Sequence, residues 1–274
     1  MTKLILKRNE TFTLRIGWLE KGLNLFKENN DLFKDENANL ILGLGTNMVK
    51  SLRYYMLACN LIEQQKTKYN LTILGNCILK YDKFLEHDFT IGLIHYNLVK
   101  NDKLAKVYND IFNSNITYFT KESILEYLND YYRRNDFEYK ISSLEDEVTV
   151  FINNYISNDK SNPEDNTKSI FSKLGLLEYT DNKYKKRSLE LNIFLVYLNI
   201  IDLVSSDSFN IDDYLKYENN ACNIFNYSKS MIYLSLEKLE DLGLIKIVKT
   251  AGLNTCQIIK RMILEEVYES VIGE

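Results

Sequence analysis

Residues 45–63 read Gly45-Thr-Asn-Met-Val-Lys-Ser-Leu-Arg-Tyr-Tyr-Met-Leu-Ala-Cys-Asn-Leu-Ile-Glu, the pattern of an amphipathic helix that runs directly into a strand. Thr46 follows a glycine turn and is the predicted N-cap. Apolar residues recur at helical spacing and define the inward face: Met48, Leu52, Tyr55, Met56 and Cys59. The outward face is predicted to carry Asn47, Lys50, Ser51, Tyr54 and Ala58, with Arg53 on its flank. A face without an acid suits a helix that approaches phosphates and base edges, as the second helix of a helix-turn-helix does.

The flanking sequence extends this helix into a winged helix. An apolar stripe at helical spacing predicts a first helix over residues 12–28, and residues 35–42 predict a short second one. After the third helix, residues 61–65 and 69–74 read as two strands joined by the polar loop Lys66-Thr67-Lys68. Lys66 and Lys68 then lie at the tip of the wing, where a wing touches a DNA backbone.

Charge is unevenly distributed along the 274 residues. Residues 1–80 contain 12 Lys and Arg against 7 Asp and Glu, whereas the whole chain carries a formal net charge of −4. We therefore expect any contact with nucleic acid to concentrate in this N-terminal part. The chain has no apolar run long enough to span a membrane and no signal-like start, so we expect a cytoplasmic protein.

The rest of the chain is predicted to be mainly α. Residues 81–205 read as a helical middle domain, with no clear strand over residues 81–160 and a polar linker over residues 157–168. Residues 206–274 repeat the opening pattern, because a helix capped by Ser228 runs to Leu242 and two strands follow. The exposed side of this helix includes two acids, which argues against contact with phosphates. Tyr233, Leu234 and Glu237 on that side are the predicted contact with a protein partner.

Residues with possible chemistry have simpler structural interpretations. His95 lies in an apolar helix, so we expect a hydrogen-bonded core histidine rather than a catalytic base. Glu145, Asp146 and Glu147 are expected to be solvated at a helix start. The basic cluster over residues 183–187 is expected to be a solvated hairpin. The four scattered cysteines are expected to be reduced core residues, and neither a metal nor a cofactor is predicted.

Four motifs in order resemble one prokaryotic domain-of-unknown-function family, number 4007. They are Phe12-Thr-Leu-Arg-Ile-Gly-Trp-Leu-Glu-Lys-Gly-Leu, Leu42-Gly-Leu-Gly-Thr-Asn-Met-Val-Lys-Ser-Leu-Arg-Tyr-Tyr, Leu71-Thr-Ile-Leu-Gly and Thr90-Ile-Gly-Leu-Ile-His-Tyr-Asn-Leu-Val. The chain departs from the family at Ile16, where the family has an acid, and at Tyr55, where it has tryptophan. The resemblance implies a neighbourhood of phage-defence and DNA-phosphorothioation genes, and no assigned reaction.

Together these patterns predict a mainly α protein with small β wings and three parts, residues 1–80, 81–205 and 206–274. The expected function is that of a non-enzymatic accessory protein in a defence or DNA-modification system. Duplex DNA would be bound through Asn47, Lys50, Ser51, Arg53, Tyr54, Lys66 and Lys68. A protein adaptor without DNA binding is the alternative, and an enzyme that uses His95 is the least favoured. A homodimer is compatible with either.

Overall fold

The structure is a computed structural model that describes residues 2–156, 168–250 and 253–273. Its first part contains, in order, β1 (Thr2–Lys3), α1 (Trp18–Glu28), a 3₁₀ turn (Leu32–Lys34), α2 (Ala38–Leu42), α3 (Thr46–Ala58), β2 (Ile62–Gln65) and β3 (Lys68–Leu71). The strands β2 and β3 form an antiparallel pair. Three helices followed by a hairpin therefore occur in the predicted order.

Two details of this part differ from expectation. The second helix is shorter than predicted, because residues 32–34 form the 3₁₀ turn and Asp35 is extended, with its carboxylate accepting a hydrogen bond from the Asn37 N–H. Helix α3 begins at Thr46 after an extended Gly45, and no side chain caps it. Gly43 ends α2 at a φ of 59°, a left-handed conformation that glycine adopts without strain.

The middle part surrounds one central helix, α5. Its elements are α4 (Ile73–Tyr81), α5 (Asp88–Lys100), α6 (Lys106–Asn113), β4 (Tyr118–Phe119), α7 (Lys121–Arg134), β5 (Phe137–Glu138), α8 (Ile141–Tyr155), a 3₁₀ turn (Ile170–Leu174), β6 (Leu177–Thr180), β7 (Lys183–Lys186) and α9 (Ile193–Leu203). Residues 89–99 of α5 are all buried. A Cβ on Gly92 would lie 2.6 Å from a methyl carbon of Leu195, so a larger residue there would require the Leu195 side chain to move.

The expectation of no strand over residues 81–160 was wrong, because β4 and β5 lie there. The strand β4 pairs with β7 in the three-stranded order β4-β7-β6, and β5 pairs in parallel with β1. Both strands are very short and pair with segments far away in the chain, so a local pattern cannot reveal them. The predicted linker lies, up to residue 167, outside the described residues.

The last part contains β8 (Ser208–Asn210), α10 (Ile211–Tyr214), α11 (Ala221–Ile224), α12 (Lys229–Asp241), β9 (Ile245–Thr250), β10 (Leu253–Ile258) and α13 (Leu264–Ile272). The sheet order is β8-β10-β9. As predicted, the Ser228 hydroxyl caps α12 by accepting a hydrogen bond from the Met231 N–H. Leu242, the predicted end of this helix, follows its last turn and is exposed.

Buried apolar side chains form one cluster that crosses both predicted domain boundaries. Helix α4 packs against α13, and α9 packs against α12. The division into parts of residues 1–80, 81–205 and 206–274 stays a prediction. Within the described residues, no helix is both long and apolar enough to cross a membrane.

Candidate nucleic-acid interface

The start of α3 presents the predicted polar face to solvent. Asn47 and Lys50 are exposed and Arg53 is half-buried. The Lys50 Nζ donates a hydrogen bond to the Asn47 side-chain oxygen at 3.1 Å. Among the described residues, no acid forms an ion pair with Lys50 or Arg53. Two cations on successive turns of one helix are therefore available to a ligand.

Ser51 and Tyr54 do not lie on this exposed face. The prediction that they face outward and contact DNA was therefore wrong. Ser51 is 0% exposed and Tyr54 is 6% exposed. The Tyr54 hydroxyl donates a hydrogen bond to the carbonyl oxygen of Leu104 at 3.1 Å, because the segment before α6 covers this side of α3. Ala58, also predicted to face outward, is buried. A helix covered on this side presents only its first two turns to a ligand.

The hairpin supplies the other two predicted cations. Lys66 and Lys68 are exposed at its tip, where Gln65 pairs with Lys68. Lys66 has a φ of 56°, which completes the tight turn between the strands. The structure thus presents Asn47, Lys50, Arg53, Lys66 and Lys68 on the surface of the N-terminal part.

An additional cation, Arg8, lies beside these residues and was missed by the sequence analysis. Arg8, Lys50 and Arg53 line one cavity of about 350 Å³, and Glu10 is the only acid among the described residues that line it. The remaining lining residues come from α3, the hairpin and the segment before α6: Tyr54, Leu57, Gln64, Tyr69 and Leu104. The sequence signal was limited to the adjacent basic pair Lys7-Arg8, which does not show that the loop folds against α3.

A neighbouring cavity weakens the positive field. It measures about 260 Å³ and shares Lys50 and Arg53 with the first cavity, but Asp35 and Glu36 also line it. These acids precede α2 and oppose the approach of an anion from that side. The favourable side for an anion is therefore the side of Arg8 and the hairpin.

Glu147 fixes the loop that carries Arg8, and the prediction that it is solvated was wrong. The residue is 6% exposed, and its carboxylate accepts hydrogen bonds from the Lys7 N–H at 2.6 Å and the Asn9 amide at 2.9 Å. Burial raises the pKa of Glu147 to about 7. Helix α8 begins at Ile141, so residue 147 lies beyond its first turn and on its inward face.

His95 is a core residue, as predicted. It is 0% exposed, with Nδ1 2.8 Å from the Tyr155 hydroxyl and Nε2 2.9 Å from the carbonyl oxygen of Ile224. Because a carbonyl only accepts, Nε2 carries the proton and Nδ1 accepts from the tyrosine. Burial lowers the pKa of His95 to about 4, so the ring is neutral at pH 7.

The basic hairpin of β6 and β7 is only partly solvated. Lys183 is exposed, as expected, whereas Lys186 is half-buried. Its Nζ donates hydrogen bonds to the carbonyl oxygens of Ile111 at 2.5 Å and Ser114 at 3.1 Å, at the end of α6. Burial lowers the pKa of Lys186 to about 7. This lysine caps a helix and is not available to a ligand.

The predicted partner-binding residues lie on α12 as expected from its periodicity. Leu234 is 43% exposed, Glu237 is exposed and Tyr233 is half-buried. The inward side of the same helix buries Ile232, Leu236 and Leu239. Their contact with a partner stays a prediction.

Comparison with known proteins assigns the chain to a family. The chain belongs to the family described as "Protein of unknown function (DUF4007)", whose model matches residues 6–271. This confirms the family that the four motifs indicated. No curated protein matches the chain.

Two solved structures share the fold. One is described as "Magnesium ion-bound SspB crystal structure", with a TM-score of 0.83 and 19% identity, and the other as "SspB crystal structure", with 0.79 and 20%. Each alignment covers 98% of this chain and 86% of the other. The TM-scores establish a shared, mainly α fold with small sheets, whereas identities this low show nothing about activity.

A magnesium ion in one relative raises the question of whether this chain has suitable ligands. The described residues contain no group of three or more His, Cys, Asp or Glu side chains that could hold a metal ion. Asp110 is bound by Lys106 and Tyr132, and Asp202 by Lys100 and Tyr96. Among the described residues, the four cysteines are free thiols and three of them are buried. Asp110 and Asp202 are therefore each already engaged by a lysine and a tyrosine.

Proposed function

We propose that this chain is a DNA-contacting accessory protein of a prokaryotic defence or DNA-modification system. In this proposal residues 1–80 act as a winged helix that binds backbone phosphates, and the exposed face of α12 docks a protein partner. The neighbourhood of phosphorothioation genes implied by the family resemblance supports this system, and the proposal does not include a reaction.

The observation that carries the proposal is the convergence of unpaired cations on one surface. Arg8, Lys50 and Arg53 line one cavity, and Lys66 and Lys68 are exposed on the adjacent hairpin. None of the five side chains forms an ion pair within the described residues. Unpaired lysines and arginines in one place are the electrostatic signature of phosphate binding.

The proposed contact is mainly with the backbone. Burial of Ser51 and Tyr54 leaves only the first two turns of α3 free, so few side chains remain to contact base edges in a groove. Phosphate contacts fix position and carry no sequence information directly. We therefore expect weak sequence preference and strong salt dependence.

The alternative function, a protein adaptor without DNA binding, is favoured by the acids Asp35 and Glu36 beside the cations. Charge reversal separates the two functions. The variant Lys50→Glu with Lys68→Glu is compared with Lys173→Glu and Lys238→Glu, which reverses two exposed lysines elsewhere. Binding of a fluorescent duplex is measured by anisotropy at low salt.

The proposal predicts that the first variant loses at least about tenfold in affinity for the duplex. The control variant carries the same change in net charge and is expected to bind within about twofold of the unmodified protein. Equal losses in both variants, or no duplex binding by the unmodified protein, would favour the adaptor.

A further inference from the structure

The loop before α1 has an unusual backbone that needs an explanation. Lys7, Glu10 and Thr11 have φ values of 62°, 50° and 66°, in the left-handed region that residues other than glycine adopt infrequently. Three such residues among five occur only where the surroundings determine the conformation. The result of this conformation is that Arg8 lies at the cavity shared with Lys50 and Arg53.

Buried polar contacts on both sides of Arg8 hold this loop. The two oxygens of Glu147 accept from the Lys7 N–H and from the Asn9 amide nitrogen, and the Asn9 side-chain oxygen accepts from the Thr11 N–H at 3.0 Å. The Lys7 ammonium also pairs with Asp146 at 2.7 Å. Asn9 is 1% exposed, so its bonds are shielded from water.

We infer that the cavity between the loop, α3 and the hairpin is a binding pocket for a single phosphate group, with Arg8 as a ligand and Glu147 as its positioning residue. The inference rests on the proposed function in taking phosphate as the ligand chemistry. Three cations against one acid favour a doubly charged oxyanion. Gln64 and the Tyr69 ring complete the wall from the hairpin side.

The pocket differs from an open patch of lysines because its walls come from separate segments. Arg8 belongs to the N-terminal loop, whereas Lys50 and Arg53 belong to α3 and Gln64 to the hairpin. A phosphate in this position is either an isolated anion or part of a nucleic acid strand. Inorganic phosphate and duplex DNA distinguish these two sources.

Substitution of Glu147 by glutamine tests the positioning role without changing the shape of the side chain. The NH₂ group of the glutamine amide can only donate. In either orientation of the amide, this donor faces another donor, the Lys7 N–H or the Asn9 amide nitrogen, and one hydrogen bond is lost. Rotation of the Asn9 amide does not relieve the conflict, because its oxygen already accepts from the Thr11 N–H. Glu147→Gln is therefore expected to displace Arg8 while leaving Lys50 and Arg53 in place.

The experiment measures binding of radiolabelled inorganic phosphate to the full chain by equilibrium dialysis at pH 8, where phosphate is a dianion. We expect one phosphate per chain. Arg8→Gln and Glu147→Gln are each expected to weaken binding about tenfold or more. Arg133→Gln, which changes an exposed arginine on α7, is the matched control and is expected to bind like the unmodified protein.

A double variant separates positioning from a general loss of structure. If Glu147 acts through Arg8, then Glu147→Gln adds no further loss of phosphate affinity in the Arg8→Gln protein. Asn9→Ala removes the same support without touching α8 and is expected to reproduce the loss. Far-ultraviolet circular dichroism establishes that each variant is folded.

The outcomes are separable from those of the proposed function. The pocket is supported, even if the duplex does not bind, when Arg8→Gln loses phosphate binding and the addition of Glu147→Gln causes no further loss. Unchanged phosphate binding in Arg8→Gln, or no binding by the unmodified protein, overturns the pocket even if the duplex binds. Additive losses in the double variant overturn the positioning role of Glu147.

Discussion

At Glu147, burial sets a dependence of stability on pH. The pKa of about 7 lies above the ordinary value of 4.5, so between these values the folded protein holds a proton that the unfolded chain has released. Stability is therefore expected to fall as pH rises through this window, by about 3 kcal/mol in total for this group. Urea unfolding should show that the free energy of unfolding falls less between pH 5 and pH 8 in Glu147→Gln than in the unmodified protein. An identical decrease in both proteins would show that Glu147 is not the source of this pH dependence.

At His95, burial gives a dependence of stability on pH with the opposite sign. Its pKa of about 4 lies below the ordinary value of 6.5, so the folded protein keeps the ring neutral where the unfolded chain is protonated. This contribution to stability is present above pH 6.5 and is lost as pH falls toward 4. In His95→Gln, the free energy of unfolding in urea should fall less between pH 6.5 and pH 4.5 than it does in the unmodified protein. Because the residue is in the core, we also expect this variant to bind the duplex normally; a folded variant without duplex binding would give His95 a functional role.

Among the elements, α2 and its preceding turn bring negative charge beside the cations of α3. Asp35 and Glu36 line the cavity that also contains Lys50 and Arg53. Replacing them by Asn and Gln removes two negative charges without changing shape, so we expect duplex affinity at low salt to rise about threefold to tenfold. Glu178→Gln with Asp241→Asn is the control on distant surfaces. Unchanged affinity in the Asp35 and Glu36 variant would place the ligand elsewhere.

The local periodicity of the sequence predicted the order of α1, α2, α3 and the hairpin, and the cap of α12. Elements formed by pairing of distant segments were missed, because Thr2 of β1 pairs with Phe137 of β5 and no local signal records such a contact. The exposed face of α3 was predicted too wide for the same reason. Helical spacing identifies one buried face, but the cover over Tyr54 comes from Leu104, far along the chain.

For the whole molecule, the continuous core predicts cooperative unfolding. Asn154 of α8 accepts from the Leu14 N–H and donates to the hydroxyls of Tyr55 and Tyr108, which joins the first part to the middle. We expect urea unfolding followed by far-ultraviolet dichroism and by tyrosine absorbance to give one coincident transition. A fragment of residues 1–80 is expected to lack such a transition, since part of its core is formed by side chains from the rest of the chain. Separate transitions, or a cooperative fragment, would contradict one shared core.

The central claim is that the unpaired cations of the N-terminal part bind DNA phosphates. It is tested most directly by the salt dependence of duplex affinity for the full chain. If the five cations Arg8, Lys50, Arg53, Lys66 and Lys68 each contact a phosphate, the slope of log affinity against log salt is about −4 to −5. Lys50→Glu with Lys68→Glu should flatten the slope by about two. A slope near zero, or the same slope in the variant and the unmodified protein, would contradict the claim.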